Sequence, residues 1–332
     1  DLVTEHLEEE KNKEKQKLFD IIIGNLDSVM QLSNYDSLLS EMSKEQLVTI
    51  MKFSAEKKKN LPDNAKEKKP LREKGDFYDN SFAVIIGINE YTNTNSPKLE
   101  YAVSDAKAIK ELLVNKLGFR DENIRLLIDS KATKESIRIA LNSVARLAKS
   151  NDRVLIYFSG HGQTITSVES NNMKIGYLIP VNGDLKDPVL NSIAMDEILL
   201  LCQSECKHML FLMDACYSGL MAKAKGLKIF EDNDDYIHSK ANISARQIIT
   251  AGSAEQISWE SRKIQHGIFT LNVLNALNNW EADNLEDGYI TATELGLYLQ
   301  KTVSKETGNN QTPQSERIRF SKSGEFIFSQ NN

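Results

Sequence analysis

From about residue 80 onward, apolar residues alternate between short continuous runs and longer stretches spaced at three and four. Phe82-Ala-Val-Ile-Ile86 is a compact apolar run closed by Gly87, which predicts a strand buried on both faces. Ser104 to Lys116 carries Ala108, Ile109, Leu112 and Leu113 at helical spacing. Ile124-Arg-Leu-Leu-Ile128 predicts a second strand, and Lys134 to Lys149 a helix with Ile137, Ile139, Leu141, Val144 and Leu147 facing inward. Arg153 to Phe158 is the third strand. A helix around Met195 to Cys202 leads to a fourth, His208 to Met213, and Gln247 to Thr250 makes a fifth. Two further helices, near 267–280 and 292–305, precede a terminal strand pair around 316–328. Strands joined by helix-length crossovers imply an α/β fold with a mostly parallel sheet covered on both faces.

The chain ahead of this pattern reads differently. Leu18, Phe19, Ile22, Leu26 and Val29 share one helix face. Ser43 with Gln46 opens a second helix carrying Leu47, Ile50, Met51 and Phe53. Residues 1–58 are therefore expected to be a helical hairpin. The stretch 59–79 holds Lys59, Lys66, Lys68, Lys69, Arg72 and Lys74 with Pro62 and Pro70, and it reads as a basic solvated linker. The globular part is assigned to 80–332.

Composition narrows the classes. A net charge of -6 argues against a nucleic-acid binder. No apolar run approaches the roughly 18 residues of a membrane span. Three cysteines are too few for a disulfide framework, so a reducing compartment is expected, and with it a cytoplasmic location. The sequence opens on Asp1 and not on Met, so its native start is left open.

Chemistry is expected outside the carboxyl ends of the parallel strands, where loops present side chains. Two of those ends are unusual: the third strand runs into Ser159-Gly-His-Gly162, and the fourth into Asp214-Ala-Cys-Tyr-Ser-Gly219. A thiol is mostly protonated near pH 7 and needs a neighbouring base, and imidazole has the suitable pKa. Cys216 is thus the candidate nucleophile and His161 its base. The N–H groups of Gly162 and Cys216, each expected in a turn, are candidate donors to an oxyanion. No third residue orienting His161 is identifiable, so a dyad is expected.

The two motifs resemble the paired histidine and cysteine motifs of the caspase-like peptidases, whose signature sets the His about 50 residues ahead of the Cys. Within that superfamily the chain is most similar to the metacaspases and their prokaryotic relatives, orthocaspases among them, with the paracaspases next. The likeness covers about 80–328 and includes Gly87-Ile-Asn89, Ser104-Asp-Ala106, Gly267-Ile-Phe-Thr270 and Gln311-Thr-Pro-Gln314. It implies the caspase–hemoglobinase fold, with a six-stranded sheet and a small N-terminal helical segment in addition. It also implies a thiol endopeptidase acting on protein or peptide substrates. Metacaspases carry Asp two residues before the Cys, where true caspases carry Gln. By the resemblance, Asp214 and Asp105 line an acidic pocket with the Ser159 hydroxyl, and cleavage after Arg or Lys is expected. Two have a plainer reading: Asp214 as a turn cap and Asp105 as a helix N-cap.

The chain also departs from the family pattern. Ala102 stands where metacaspases carry a cysteine. The family's calcium aspartates fall on Ile175, Met195, Asp196 and Lys223, a set that cannot supply the six to eight oxygens calcium takes. No metal or other cofactor is expected. Cys202, Cys206 and His208 lack a second ligand pair and are expected to be buried structural residues. Asp283 to Ile290 has Leu285 where a calcium loop needs oxygen, so a turn followed by a Thr291/Glu294 capped helix is expected. His266 shows no partner pattern and reads as a loop residue. The polar stretch 220–246, with Lys223, Lys225, Lys228, Lys240 and Arg246, reads either as a plain surface loop or, by the resemblance, as the loop where a zymogen of this family is cut, by self-cleavage after one of its lysines. Residues 1–58 remain open to three roles: inhibiting the peptidase, docking a regulatory partner, or packing on the core. The competing reading is a catalytically idle caspase-fold scaffold that recruits partners through those helices, with a ligase on the same fold behind it. A regulatory, cell-death or defence cascade follows by family analogy alone.

Overall fold

A computed structural model describes residues 77–93, 96–167, 173–216, 234–252, 260–261 and 265–329, with Cys216 described by its backbone. The expected hairpin 1–58, most of the linker 59–79, and Lys223, Lys225 and Lys228 lie outside the described residues. The first half runs β1 (Ser81–Gly87), α1 (Ala102–Lys116), β2 (Ile124–Ile128), α2 (Lys134–Leu147), β3 (Arg153–Ser159), β4 (Gly162–Ser167) and β5 (Met173–Leu178). Next come α3 (Pro188–Asn191), β6 (Ile193–Ala194), α4 (Met195–Leu199), β7 (His208–Cys216), α5 (Asp234–Ala241) and β8 (Ala245–Gly252). The rest is β9 (Glu260–Ser261), β10 (His266–Gly267), α6 (Ile268–Asn278), β11 (Tyr289–Thr291), α7 (Ala292–Glu306), β12 (Gln314–Arg317) and β13 (Ile327–Ser329).

Strands β12-β8-β7-β3-β1-β2 form one six-stranded sheet in that order. All neighbours are parallel except β12, which runs antiparallel to β8 on the edge. Successive side chains point to opposite faces of a strand, so each strand feeds two cores. Val84, Ile86, Ile156, Phe158 and Phe211 pack with Ile137, Leu141 and Val144 of α2 and Ile198 of α4. Ala83, Ile85, Leu155, Tyr157 and Leu212 pack with Ile109 of α1, Phe269 and Val273 of α6 and Leu295 of α7. Helices on both faces explain why these strands read as unbroken apolar runs.

Several expectations are corrected. Ile139 and Leu147 do not face inward; they are 70% and 48% exposed. Ile139 lies two residues from Ile137, about 200° around the helix from the buried stripe. The terminal strands do not pair with each other: β12 joins β8, and β13 joins β11. A separate antiparallel sheet, β4-β5-β6, stands beyond the end of β3 and was not anticipated. Lys240 and Arg246 are not loop residues but belong to α5 and β8.

The amino ends of the strands are stabilised by buried cations on carbonyls. Arg153 donates to Ser81 Oγ, Ile327 O and Leu117 O and stacks 4.6 Å from the Phe119 ring centroid. Burial lowers its pKa to about 10, so it stays charged at neutral pH. Arg246 donates to the carbonyls of Cys202, Ser204, Cys206 and Lys207. Cys202 and Cys206 are free and buried, and burial pushes the Cys202 thiol up to about 12, fitting a structural role. The Asp283 segment is a turn: Asp283 accepts from the N–H groups of Asp287 and Gly288, and the Thr291/Glu294 capping box follows.

His208 shows what this end of the sheet asks of pH. Its Nε2 lies 2.8 Å from the Ile243 carbonyl, which can only accept, so Nδ1 accepts from the Tyr78 hydroxyl at 2.6 Å. Burial draws its pKa from 6.5 down to about 3. The unfolded chain therefore binds a proton between these values that the folded protein refuses. Stability is intact above about pH 6.5 and falls by up to about 1.4 kcal/mol per pH unit toward pH 3. Urea unfolding between pH 6 and 4 is expected to show a slope shallower by one proton in His208→Gln; equal slopes in parent and variant would refute this.

Candidate active site

The sheet register sets the site. Ser159 at the end of β3 pairs with Asp214 of β7. Two residues on, β7 ends at Cys216, whose backbone pairs with Gly252 of β8 after a register irregularity between Met213 and Cys216. The Gly160 N–H reaches the Asp214 carbonyl at 3.4 Å, tying the start of the His161 turn to β7. His161 and Cys216 therefore leave neighbouring parallel strands at one carboxyl edge. The fourth strand runs three residues further than expected, and Cys216 closes it.

The expectation that the two oxyanion donors sit in turns is corrected. Gly162 opens β4 opposite Leu178, and Cys216 lies in the β7–β8 ladder. The Gly162 position still suits a donor. The Ile179 N–H donates to the His161 carbonyl at 3.0 Å, which makes Gly162 and Leu178 a non-hydrogen-bonded pair. In such a pair the Gly162 N–H points away from β5.

The third group that sequence did not identify is a main-chain carbonyl. His161 Nε2 lies 2.7 Å from Pro97 O, and a carbonyl only accepts, so Nε2 carries the proton. The lone pair is left on Nδ1, the atom able to take a thiol proton. The His161 N–H donates to the Tyr91 hydroxyl at 2.7 Å, and the two rings lie 4.8 Å apart. At Gly160 a Cβ would fall 2.8 Å from the Tyr91 hydroxyl, so glycine is required for this approach. Asn89 holds the loop bearing Tyr91 and Pro97. Its Oδ1 accepts from Val103 N, its Nδ2 donates to Glu100 O, and its own N–H is held by Asp129 Oδ1.

Beside this edge the structure brings the three pocket candidates together. Asp105, Asp214 and Ser159 are 1%, 4% and 5% exposed. Asp105 is not a helix N-cap; Tyr101 holds that position, and Asp105 sits buried in the first turn of α1. A Cβ on Gly267 would meet Asp214 Oδ2 at 2.7 Å and Asp105 Oδ2 at 3.1 Å, so the two carboxylates converge on one Cα. The Thr270 hydroxyl donates to Asp214 Oδ2 at 2.6 Å, which leaves the Tyr157 hydroxyl as donor to Thr270 Oγ1 at 2.6 Å. Burial first, then the charges of Asp105 and Asp214, raise the Tyr157 pKa well above 10, while hydrogen bonds with Thr270 and then Ser159 work the other way. The phenol stays neutral and keeps its proton to donate.

His266 is corrected from a partnerless loop residue. It opens β10, and its Nδ1 lies 2.5 Å from Asp105 Oδ1.

Among the described residues no group of three or more His, Cys, Asp or Glu side chains is arranged to hold a metal ion. Of the positions matched to calcium aspartates, Met195 is buried and Asp196 exposed.

Residues 80–323 match the family model of the caspase domain. The chain belongs to the caspase-domain family. Metacaspase-4 of Arabidopsis thaliana is 29% identical over 254 residues, covering 69% of this chain and 57% of that protein. Metacaspase-6 of the same plant is 30% identical over 152 residues, 43% of this chain and 39% of the relative. Metacaspase-1 of Eremothecium gossypii is 28% identical over 148 residues, covering 42% and 32%. The chain thus spans about a third to three fifths of the length of these relatives. The solved structure of protein GSU0716 from Geobacter sulfurreducens superposes with a TM-score of 0.50 at 19% identity, covering 74% of this chain and 97% of that one, a likeness of fold. No described helix is long and apolar enough to cross a membrane.

Proposed function

We propose that this caspase-domain protein is a cysteine endopeptidase that cleaves protein or peptide chains after Arg or Lys. The observation that carries the reading is the anchored imidazole: Nε2–H on Pro97 O leaves a basic Nδ1 at the edge where β7 ends in Cys216. The Cys216 thiol gives its proton to His161 Nδ1, and the thiolate attacks the scissile carbonyl carbon. The oxyanion accepts from the Gly162 N–H, which points away from β5. As the C–N bond breaks, His161 returns the proton to the leaving amine and a thioester remains on Cys216. Water, deprotonated by His161, then hydrolyses the thioester and the thiol is regained. Asp105 and Asp214, with the Ser159 hydroxyl beside them, favour a basic side chain ahead of the scissile bond. An acidic one would bury like charges together, costing several kcal/mol.

Self-cleavage belongs to this reading, within Lys223, Lys225 and Lys228. Arg246 is buried on five carbonyls, and the Lys240 carbonyl accepts from Ile243 N and Glu325 N, so neither bond fits a cleft as folded. A cytoplasmic location and a regulatory partner on residues 1–58 are further parts of the proposal, as is activity without calcium.

The test is incubation of the full chain with fluorogenic peptides ending in Arg, Lys or Asp, with and without chelator, beside Cys216→Ala. Arg and Lys peptides are expected to exceed Asp by about 100-fold or more, with chelator indifferent and Cys216→Ala inert. Faster release from Asp peptides would sink the pocket assignment. No turnover of any peptide by folded parent protein would favour the idle scaffold.

A further inference from the structure

Asp105 already carries an imidazole. His266 Nδ1 sits 2.5 Å from Asp105 Oδ1, while the Gly267 N–H donates to Oδ2 at 3.1 Å. The Asp105 side chain is 2% exposed and that of His266 24%, so His266 is the member of the pair that meets solvent. The approach is held at a cost. Gln265, just before it, has φ 61°, in the left-handed region that a non-glycine residue rarely occupies. The Ser104 hydroxyl reaches the Gln265 carbonyl at 3.3 Å, and His266 pairs with Ser261 across β9–β10. A strained residue locked from two sides, aiming an imidazole at a buried carboxylate, marks a built contact.

We propose that His266 is a specificity-determining residue of the pocket, and that a proton gained there weakens the hold on Arg and Lys. The inference rests on reading Asp105 and Asp214 as the subsite for the basic side chain. An ionised carboxylate only accepts, so neutral His266 carries its hydrogen on Nδ1 and keeps a lone pair on Nε2. The proton enters at Nε2 and makes a fixed cation against Asp105. The groups at this site are Asp105 from α1 and Asp214 of β7 across Gly267, with the neutral Tyr157 of β3 in the field of both carboxylates. In register, the β9 residue paired with Gly267 is Glu260, and the first turn of α6 holds no acidic residue. An imidazolium here neutralises one of the two pocket charges and repels an incoming guanidinium. Burial lowers the His266 pKa from its usual value, which favours the neutral imidazole until the solution is acidified.

The experiment separates this from the general base by reading binding without chemistry. Full-length Cys216→Ala is titrated calorimetrically with an acetylated tripeptide amide ending in Arg, from pH 8 to 5, alone and with His266→Asn or His266→Lys added. Asn keeps a donor for Asp105 but cannot titrate; Lys carries the charge throughout. Cys216→Ala alone is expected to lose about tenfold more affinity on acidification than the Asn form. The Lys form is expected to bind weakly at pH 8 and to change little. Equal acid losses with and without His266→Asn, or tight binding by the Lys form at pH 8, would overturn the role of His266. A tripeptide ending in norleucine that bound as well as the Arg peptide at pH 8 would overturn the pocket reading instead.

Discussion

His161→Ala is expected to lower kcat/KM for an arginyl peptide by about 10³- to 10⁴-fold, with nearly all the loss in kcat. The size follows from what the imidazole alone provides. The Pro97 carbonyl accepts a hydrogen bond from Nε2–H, so the basic nitrogen of the ring is Nδ1 before substrate arrives. Alanine leaves a thiol that must ionise unaided, whereas the carboxylate pocket, reached through other elements, is untouched and KM should hold. Tyr91→Phe provides the graded comparison. It removes the acceptor of the His161 N–H but not the imidazole, and a loss of about tenfold is expected. Stopped-time assays with one arginyl peptide decide the matter. A His161→Ala variant retaining more than about a tenth of parental kcat/KM would exclude the imidazole as base.

How much of this could be read from residues alone depended on whether the signal was local. Phe82–Ile86, Ile124–Ile128 and Arg153–Phe158 announced themselves because a strand covered on both faces must be apolar throughout. The glycine-flanked His161 and the Asp214-Ala-Cys216 segment stood out at strand ends for a related reason: small or reactive residues there serve no packing need. Pro97 was invisible because its part is played by a main-chain carbonyl, which any residue type supplies. His266 was invisible because its partner lies 161 residues away and a lone histidine beside a glycine has no pattern. The β4–β5 hairpin escaped because Gly162–Ser167 is polar and borders no core, leaving no alternation to follow. Ile139 misled because helical spacing names a face only when every apolar residue keeps phase, and this one does not.

Asp214→Asn is expected to cut kcat/KM for arginyl and lysyl peptides by about 10²- to 10³-fold, mostly through KM, while leaving a norleucyl peptide within a few-fold of its parental rate. The amide oxygen can still accept from the Thr270 hydroxyl, so the chain from Tyr157 through Thr270 to residue 214 survives. What disappears is one of two negative charges converging on the Gly267 Cα. Because the Thr270 hydrogen bond is kept and the shape is unchanged, the urea midpoint should stay level or rise. That pairing of outcomes discriminates between the two readings of the residue. A carboxylate kept as a turn cap would, on becoming Asn, cost stability and activity together and penalise every peptide alike. A carboxylate kept for a basic ligand would, on becoming Asn, penalise the arginyl and lysyl peptides and spare the norleucyl one. Stability unchanged or raised with selectivity lost is the expected result, and a parallel fall in both would return Asp214 to a purely structural role.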